Sequence, residues 1–236
     1  MLITLSLIAG LGKIPPVEVF VTLAITVPIL YAIYIAFLDV TKAKFELAGE
    51  ELDPNKLDYR LRLFLKAVET KVIVLDRDGD FGVMVLPKTF RRPPYIVITR
   101  GALQFFKDGN LDGVIAHEVG HVIKKHWLLS LLFVHIVVVA SVTIGTLFIE
   151  SFGLPGVIPT AIETLALMYV LVKFSKDTEF EADEVATLIV GKEKVLRSLN
   201  FTKMFTVQES GIFDTHPPLS ERIERVRKLN TERTKL

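Results

Sequence analysis

Two long apolar runs in the second half of the chain constrain its fold more than any other feature. Trp127 to Ile149 contains no charged residue, and Ser151 to Val172 contains only Glu163. Each run is long enough to cross the roughly 30 Å hydrocarbon core of a bilayer as a helix. Because so few residues separate the runs, they predict a transmembrane helical hairpin at 127–172. A hairpin returns the chain to its starting side, so the segments before and after it can meet.

A further apolar run near the N-terminus predicts another membrane segment. Phe20 to Leu38 is uncharged, and Pro28 within it is a tolerated kink. We therefore expect an N-terminal membrane region at 1–39 with one span at 20–38. Met1 to Gly12 is also apolar but short for a span. The sequence leaves open whether it enters the bilayer or lies at its surface.

The amino-acid composition fits a protein with one part in the membrane and another part in water. Half of the residues are hydrophobic, the mean hydropathy is +0.45, and 23% are charged. The polar segments 40–126 and 173–236 therefore predict the two halves of one folded domain. A net charge of +1 gives no electrostatic basis for binding nucleic acid, and the lack of cysteine excludes thiolate nucleophiles and ligands. The expected fold is a mainly α integral membrane protein with a small α+β domain.

Lysines near the span ends predict the orientation of the chain in the cell membrane. They cluster on the side of the polar segments, at Lys42, Lys44, Lys124, Lys125, Lys173 and Lys176. Membrane proteins carry such an excess of basic residues on the cytoplasmic side. We therefore expect a multi-pass protein whose polar domain faces the cytoplasm.

Hydrophobic periodicity predicts the elements of the polar segments. The expected helices are Pro54–Lys71, Asn110–His126, one from Lys176 onward and one from Pro217 onward. The expected strands are Val72–Leu75 and Phe81–Leu86, joined as a hairpin through residues 76–80, and Tyr95–Thr99.

The string His117-Glu118-Val119-Gly120-His121 lies inside the predicted helix 110–126. Residues four apart share a helix face, so the two imidazoles can bind one ion, and zinc suits imidazole nitrogen. Glu118 points elsewhere on the helix, where it can take a proton from an activated water. Gly120 predicts a close neighbouring helix, for which the helix of the third ligand is the candidate. Two ordinary histidines on a polar face are the alternative.

The acidic stretch after the hairpin offers the third ligand. Glu179 and Asp183 are four residues apart and share a helix face, whereas Glu181 points elsewhere. We expect Glu179 to complete the metal site. Asp183 would accept a hydrogen bond from the far nitrogen of a ligating histidine, which fixes its tautomer. A solvated acidic face is the alternative.

These motifs occur in a familiar order. The HEVGH string, an apolar hairpin, Glu-Phe-Glu-Ala-Asp at 179–183 and Thr-His-Pro-Pro at 215–218 with Arg222 together resemble the HtpX-type membrane zinc metalloproteases, relatives of the CAAX prenyl proteases. The resemblance covers about 96–226. It implies a zincin-like catalytic domain with one zinc ion per chain, Glu179 as third ligand, and endopeptidase activity on misfolded or damaged membrane proteins or unfolded proteins.

The resemblance also draws attention to residues that spacing alone does not mark. His216 precedes a helix N-terminus, which favours a neutral imidazole able to donate a hydrogen bond to an oxyanion. Arg222 would do the same, anchor substrate or support the ligands from outside. An edge strand made of Tyr95, Ile96, Val97, Ile98 and Thr99 would pair with the substrate backbone. The approach to that strand, 86–94, departs from the family pattern.

Other functions compete with the endopeptidase reading. They are a prenyl-peptide protease, a non-catalytic zinc-binding scaffold or adaptor, and a membrane zinc transporter. The retained Glu118 argues against the scaffold, and the spans offer a transporter only His135 and Glu163. Within the predicted hairpin Glu163 is level with Ser141, and a hydrogen bond between them would make its burial tolerable.

Overall fold

The computed structural model describes residues 31–45, 48–76, 82–89, 91–106, 110–205 and 214–229. The chain divides into two compact units. The first, here called the hairpin unit, contains 1–34 and 128–174, and the second, the polar unit, contains 35–127 and 175–236. Most of the predicted span at 20–38, and all of 1–12, lies outside the described residues.

The described elements follow one another in this order. They are helix α1 (31–45), strand β1 (Gly49–Glu51), α2 (Tyr59–Ala67), β2 (Lys71–Leu75), β3 (Val83–Leu86), β4 (Tyr95–Thr99), α3 (Arg100–Phe105), α4 (Leu111–Lys124), α5 (His126–Phe152), α6 (Val157–Val190), α7 (Lys192–Phe205) and α8 (Leu219–Lys228). Short 3₁₀ turns occupy Pro54–Lys56 and Leu154–Gly156.

The four described strands of the polar unit form one sheet in the order β1-β2-β4-β3. β2 is parallel to β4, whereas β3 is antiparallel to β4. The predicted hairpin between β2 and β3 is therefore wrong, because β4 lies between them. A strand that is apolar on both faces takes the middle of a sheet, where both faces are covered.

The same topology corrects the expected substrate strand. Tyr95, Ile96, Val97, Ile98 and Thr99 form β4, and all five are buried between two neighbouring strands. Their backbone groups already pair with β2 and β3, so none remains for a substrate. β3 is the edge strand on that side of the sheet.

The core of the polar unit lies between the sheet and the helices. Leu61 of α2, Ile96 and Ile98 of β4, Ile115 of α4 and Ile189 of α6 are fully buried within it. The predicted helix over 54–71 is shorter than expected and begins at Tyr59. Its end at Ala67 follows from the left-handed Glu69, with φ of 52°, which turns the chain into β2.

The hairpin unit contains the apolar lengths of α5 and α6, and in the described part of the chain also residues 31–34 of α1. Both helices are long and apolar enough to cross a membrane by length and composition. Their exposed side chains are largely hydrophobic, as at Ile136, Leu147, Ile162 and Leu165. The predicted helix from Lys176 onward is confirmed, and it is a continuation of α6, which runs on without a break through the acidic stretch. Residues 173–178 contain no glycine or proline that would end a helix.

The predicted pairing of Ser141 with Glu163 is confirmed. The Ser141 hydroxyl donates to Glu163 Oε1 across 3.4 Å, which joins α5 to α6. The turn between these helices is tight, because a Cβ on Gly156 would lie 2.3 Å from the carbonyl oxygen of Phe148. These contacts hold the two helices in register.

Candidate metal centre

Three potential ligands converge between α4 and α6 in the polar unit. His117 and His121 project from one face of α4, and their Nε2 atoms are 3.1 Å apart. Glu179 of α6 lies 3.3 Å from His117 Nε2 through Oε2, and 3.5 Å from His121 Nε2 through Oε1. One donor atom from each residue lies within 4.8 Å of the other two.

These separations fit one zinc ion. Tetrahedral zinc with bonds of about 2.0–2.1 Å places its ligand atoms about 3.3 Å apart. The three observed distances lie on either side of that value. Two imidazoles and one carboxylate are also a donor set of catalytic zinc sites, which keep a fourth position for water or substrate.

A close approach of the two helices makes this convergence possible. A Cβ on Gly120 would lie 2.8 Å from the carbonyl oxygen of Ala182, which is too close for any larger residue. The close neighbouring helix that Gly120 predicted is therefore confirmed. Glycine at this position lets α6 bring Glu179 within reach of the histidines.

Asp183 and Arg222 surround the ligands with a second layer of contacts. Asp183 Oδ1 lies 2.9 Å from His117 Nδ1, the nitrogen that faces away from the cluster. Arg222 donates to both oxygens of Asp183, at 2.7 and 2.8 Å, and its Nη1 lies 3.2 Å from Glu179 Oε2. The guanidinium thus contacts two buried carboxylates beside the potential ligands.

The electrostatics show how strongly the site favours positive charge. Burial and Arg222 lower the pKa of His117, but Asp183 and Glu179 outweigh them and raise that pKa to about 9. Burial alone would raise the pKa of Glu179, yet hydrogen bonds from three histidines hold it well below its usual range. Burial opposes ionisation of Asp183 too, but Arg222 and His117 lower its pKa to about 2. Both carboxylates therefore carry full charge near neutral pH.

His216 contacts the carboxylate of Glu179 as well. Its Nδ1 lies 3.3 Å from Glu179 Oε1, and its side chain is 60% exposed. The hydrogen bond to Glu179 raises the pKa of His216 despite some desolvation. The nearby helix N-terminus was expected to disfavour the protonated ring, but the carboxylate in direct contact outweighs it and shifts the pKa in the opposite direction.

His126 is a site residue that spacing did not reveal. Its Nδ1 lies 2.8 Å from His121 Nδ1, and its Nε2 lies 3.4 Å from Glu181 Oε2. Burial and the adjacent His121 lower the pKa of this imidazole. His126 is the fifth residue after His121, beyond the end of α4, so the rule of four-residue spacing overlooks it.

A cavity of about 750 Å³ opens beside the three ligands. Glu118 is one of the residues that line it, together with the three potential ligands. The remaining wall is mainly apolar, with Val83, Phe105, Phe106, Leu199 and Phe205 among its members. Since Val83 belongs to β3, the edge strand of the sheet borders this cavity.

Comparison with known proteins points to one family. The model of peptidase family M48 matches residues 85–230. The chain is 25% identical over 167 residues to "Protease HtpX homolog" of Bacillus velezensis, covering 58% of this chain and 56% of that protein. A homolog from Thermococcus sibiricus is 26% identical over 173 residues, covering 57% and 59% respectively. The chain thus spans less than three-fifths of the length of these two relatives.

The fold also resembles a solved structure. The crystal structure of S. mikatae Ste24p superposes with a TM-score of 0.59 and 15% sequence identity. The match covers 94% of this chain and 64% of Ste24p. At that identity the likeness concerns the fold alone.

Proposed function

The chain belongs to peptidase family M48, and from that premise we propose that it is a zinc-dependent endopeptidase of the HExxH-plus-Glu type, embedded in the membrane. The observation that carries the proposal is the convergence of His117, His121 and Glu179 at separations that suit one zinc ion. The resemblance of the fold to Ste24p and of the sequence to HtpX proteases supports it.

In this proposal the three residues are the zinc ligands, one ion per chain. Bound zinc would lower the pKa of a water molecule toward 7 and polarise the peptide carbonyl. Glu118 lines the same cavity and would act as general base, accepting a proton from the attacking water. It then passes the proton to the amine of the leaving peptide, so that the carboxylate is regenerated.

Residues around the ligands have supporting roles. His216 is exposed at the rim of the cluster and lines the cavity, where a ring N–H can donate to the oxyanion that develops on the carbonyl. Asp183 holds the proton of His117 on Nδ1, which leaves Nε2 free for the ion. Arg222 keeps Asp183 and Glu179 ionised and in place.

The cavity indicates the class of substrate. Its apolar and aromatic wall suits hydrophobic side chains, which folded water-soluble proteins bury and unfolded or membrane proteins expose. Among the described residues no strand pairs with the outer edge of β3, so this edge can take an extended peptide, a role first expected of β4. We therefore propose misfolded or damaged membrane proteins and unfolded proteins as substrates, cleaved on the cytoplasmic side.

The test is Glu118→Gln in the full chain, purified in detergent and assayed on casein as an unfolded substrate. The variant keeps the size of the side chain but cannot accept the proton, so kcat should fall about 10²–10⁴-fold while zinc content stays that of the wild type. Glu224→Gln, the same exchange on the exposed face of α8, is the matched control and should cleave normally. Undiminished cleavage by the Glu118 variant would remove the assigned base.

A further inference from the structure

The mechanism above leaves one buried histidine without a role. The side chain of His126 is only 4% exposed, and its ring meets the ring of His121 edge to face. His126 directly follows Lys125, whose left-handed φ of 54° ends α4. That turn brings His126 back against the helix that carries both histidine ligands.

The two edges of the His121 ring have different neighbours. The Nε2 edge faces His117 and Glu179, whereas the Nδ1 edge faces His126 at 2.8 Å. His126 is therefore on the side of His121 away from the potential zinc position and is not placed to be a ligand. The short distance between two ring nitrogens requires that one carries a proton and the other accepts it.

Metal binding decides which nitrogen is the donor. A His121 that binds zinc through Nε2 is neutral with its proton on Nδ1, so it must donate to His126 Nδ1. His126 then carries its own proton on Nε2, where Glu181 Oε2 at 3.4 Å can accept it. With this assignment, each ring N–H in the series from His121 through His126 to Glu181 has an acceptor.

We propose that His126 is a positioning residue that fixes the tautomer and ring orientation of His121 for metal binding, with Glu181 orienting His126 in turn. The inference rests on the proposed zinc site and assigns to His121 the kind of support that Asp183 provides for His117. The two ligands differ in that His117 has a buried carboxylate behind it, whereas His121 has a neutral imidazole with a half-exposed carboxylate beyond.

Two substitutions at this position separate hydrogen bonding from packing. His126→Asn places an amide oxygen near the position of Nδ1 and keeps an acceptor for His121. His126→Phe keeps the ring but offers no acceptor. Zinc affinity, measured on the full chain by competition with a chelating indicator, should fall about 10–100-fold in the phenylalanine variant. It should stay within about threefold of wild type in the asparagine variant, and thermal unfolding identifies any variant that has not folded.

A spectroscopic measurement does not depend on either substitution. In the zinc-loaded wild type labelled with ¹⁵N-histidine, His121 should be protonated on Nδ1 and His126 on Nε2. A proton on Nδ1 of His126, or equal zinc affinity in the phenylalanine variant and the wild type, would overturn the positioning role. A wild type that binds no zinc would instead refute the proposed function, and this inference with it.

Discussion

Two glutamates on the same helix have very different hydrogen-bond partners in the two units. Glu163, in the hairpin unit, receives one hydrogen bond of 3.4 Å from Ser141, and its Oε2 is buried without a hydrogen-bond partner among the described residues. Glu179, in the polar unit, lies within 3.5 Å of three imidazoles and one guanidinium. Both are acids on α6, yet only Glu179 has the neighbours of a metal ligand.

The difference shows that the hydrogen-bond donors around a carboxylate, rather than its burial alone, decide whether it can serve as a metal ligand. Glu163 has one weak hydrogen-bond donor beside it among the described residues. A buried acid among several nitrogen groups stays ionised and can share a cation with them. The predictions that follow test this contrast, beginning with the largest expected effect.

Exchanging each glutamate in turn tests the contrast directly. Glu179→Ala should bind zinc far more weakly, because two histidines remain, and should lose cleavage with the metal. Glu163→Gln should keep full zinc content and cleavage within about threefold, since its one hydrogen bond is worth about 0.6 kcal/mol in a membrane. Metal analysis and the casein assay on both variants provide the measurement. Equal zinc content in the two variants would show that Glu179 is no more a metal ligand than Glu163.

Asp183 should have the next largest effect. Asp183→Asn keeps the shape of the side chain but removes the charge that pairs with Arg222 and polarises His117. Loss of such a partner behind a ligand typically weakens metal binding about 10–100-fold. Zinc titration against a competing chelator measures the change, at a pH of 9 or above so that the proton on His117 does not offset it. Unaltered affinity would mean that the ligating nitrogen of His117 does not depend on Asp183.

Glycine substitutions compare the packing of the two units. A Cβ at Gly120 meets the backbone of Ala182 at 2.8 Å, whereas one at Gly145 meets the side chain of Thr160 at 2.7 Å. A side chain can rotate away more readily than a packed helix can shift. Gly120→Ala should therefore destabilise the protein by about 1–3 kcal/mol in detergent unfolding, and Gly145→Ala by less. Greater loss at Gly145 would reverse this ranking.

The pH dependence of zinc affinity should show the smallest change, counted per pH unit. The pKa of His117 is raised to about 9, so below that pH the metal-free ring holds a proton that zinc must displace. Apparent zinc affinity should consequently rise about tenfold per pH unit from pH 7 toward 9 and then level off. Asp183→Asn removes one cause of the raised pKa and should move the plateau to lower pH. A flat profile in the wild type would show that no such proton is displaced.

The helical parts of the site could be predicted because their geometry is local. The spacing of His117 and His121, and of Glu179 and Asp183, places each pair on one helix face whatever the rest of the chain does. Gly120 carried long-range information as well, because glycine inside a helix costs about 1 kcal/mol and needs a reason, here the backbone of Ala182. The pairing of Ser141 with Glu163 followed from the length of a hairpin.

The sheet and His126 could not be predicted in the same way. Strand neighbours depend on where the chain crosses over, and local alternation does not show that β4 enters between β2 and β3. The uninterrupted apolar run of Tyr95–Thr99 was a usable signal for a central strand, since edge strands usually carry polar side chains. His126 was hidden by the left-handed turn at Lys125, which breaks the helical spacing.

The most direct test of the account is to locate the metal in crystals of the zinc-loaded full chain by anomalous diffraction at the zinc edge. We expect one peak per chain, about 2.0–2.2 Å from Nε2 of His117, Nε2 of His121 and an oxygen of Glu179. A zinc peak elsewhere, or one bound by the histidines with Glu179 out of bonding reach, would contradict the central claim.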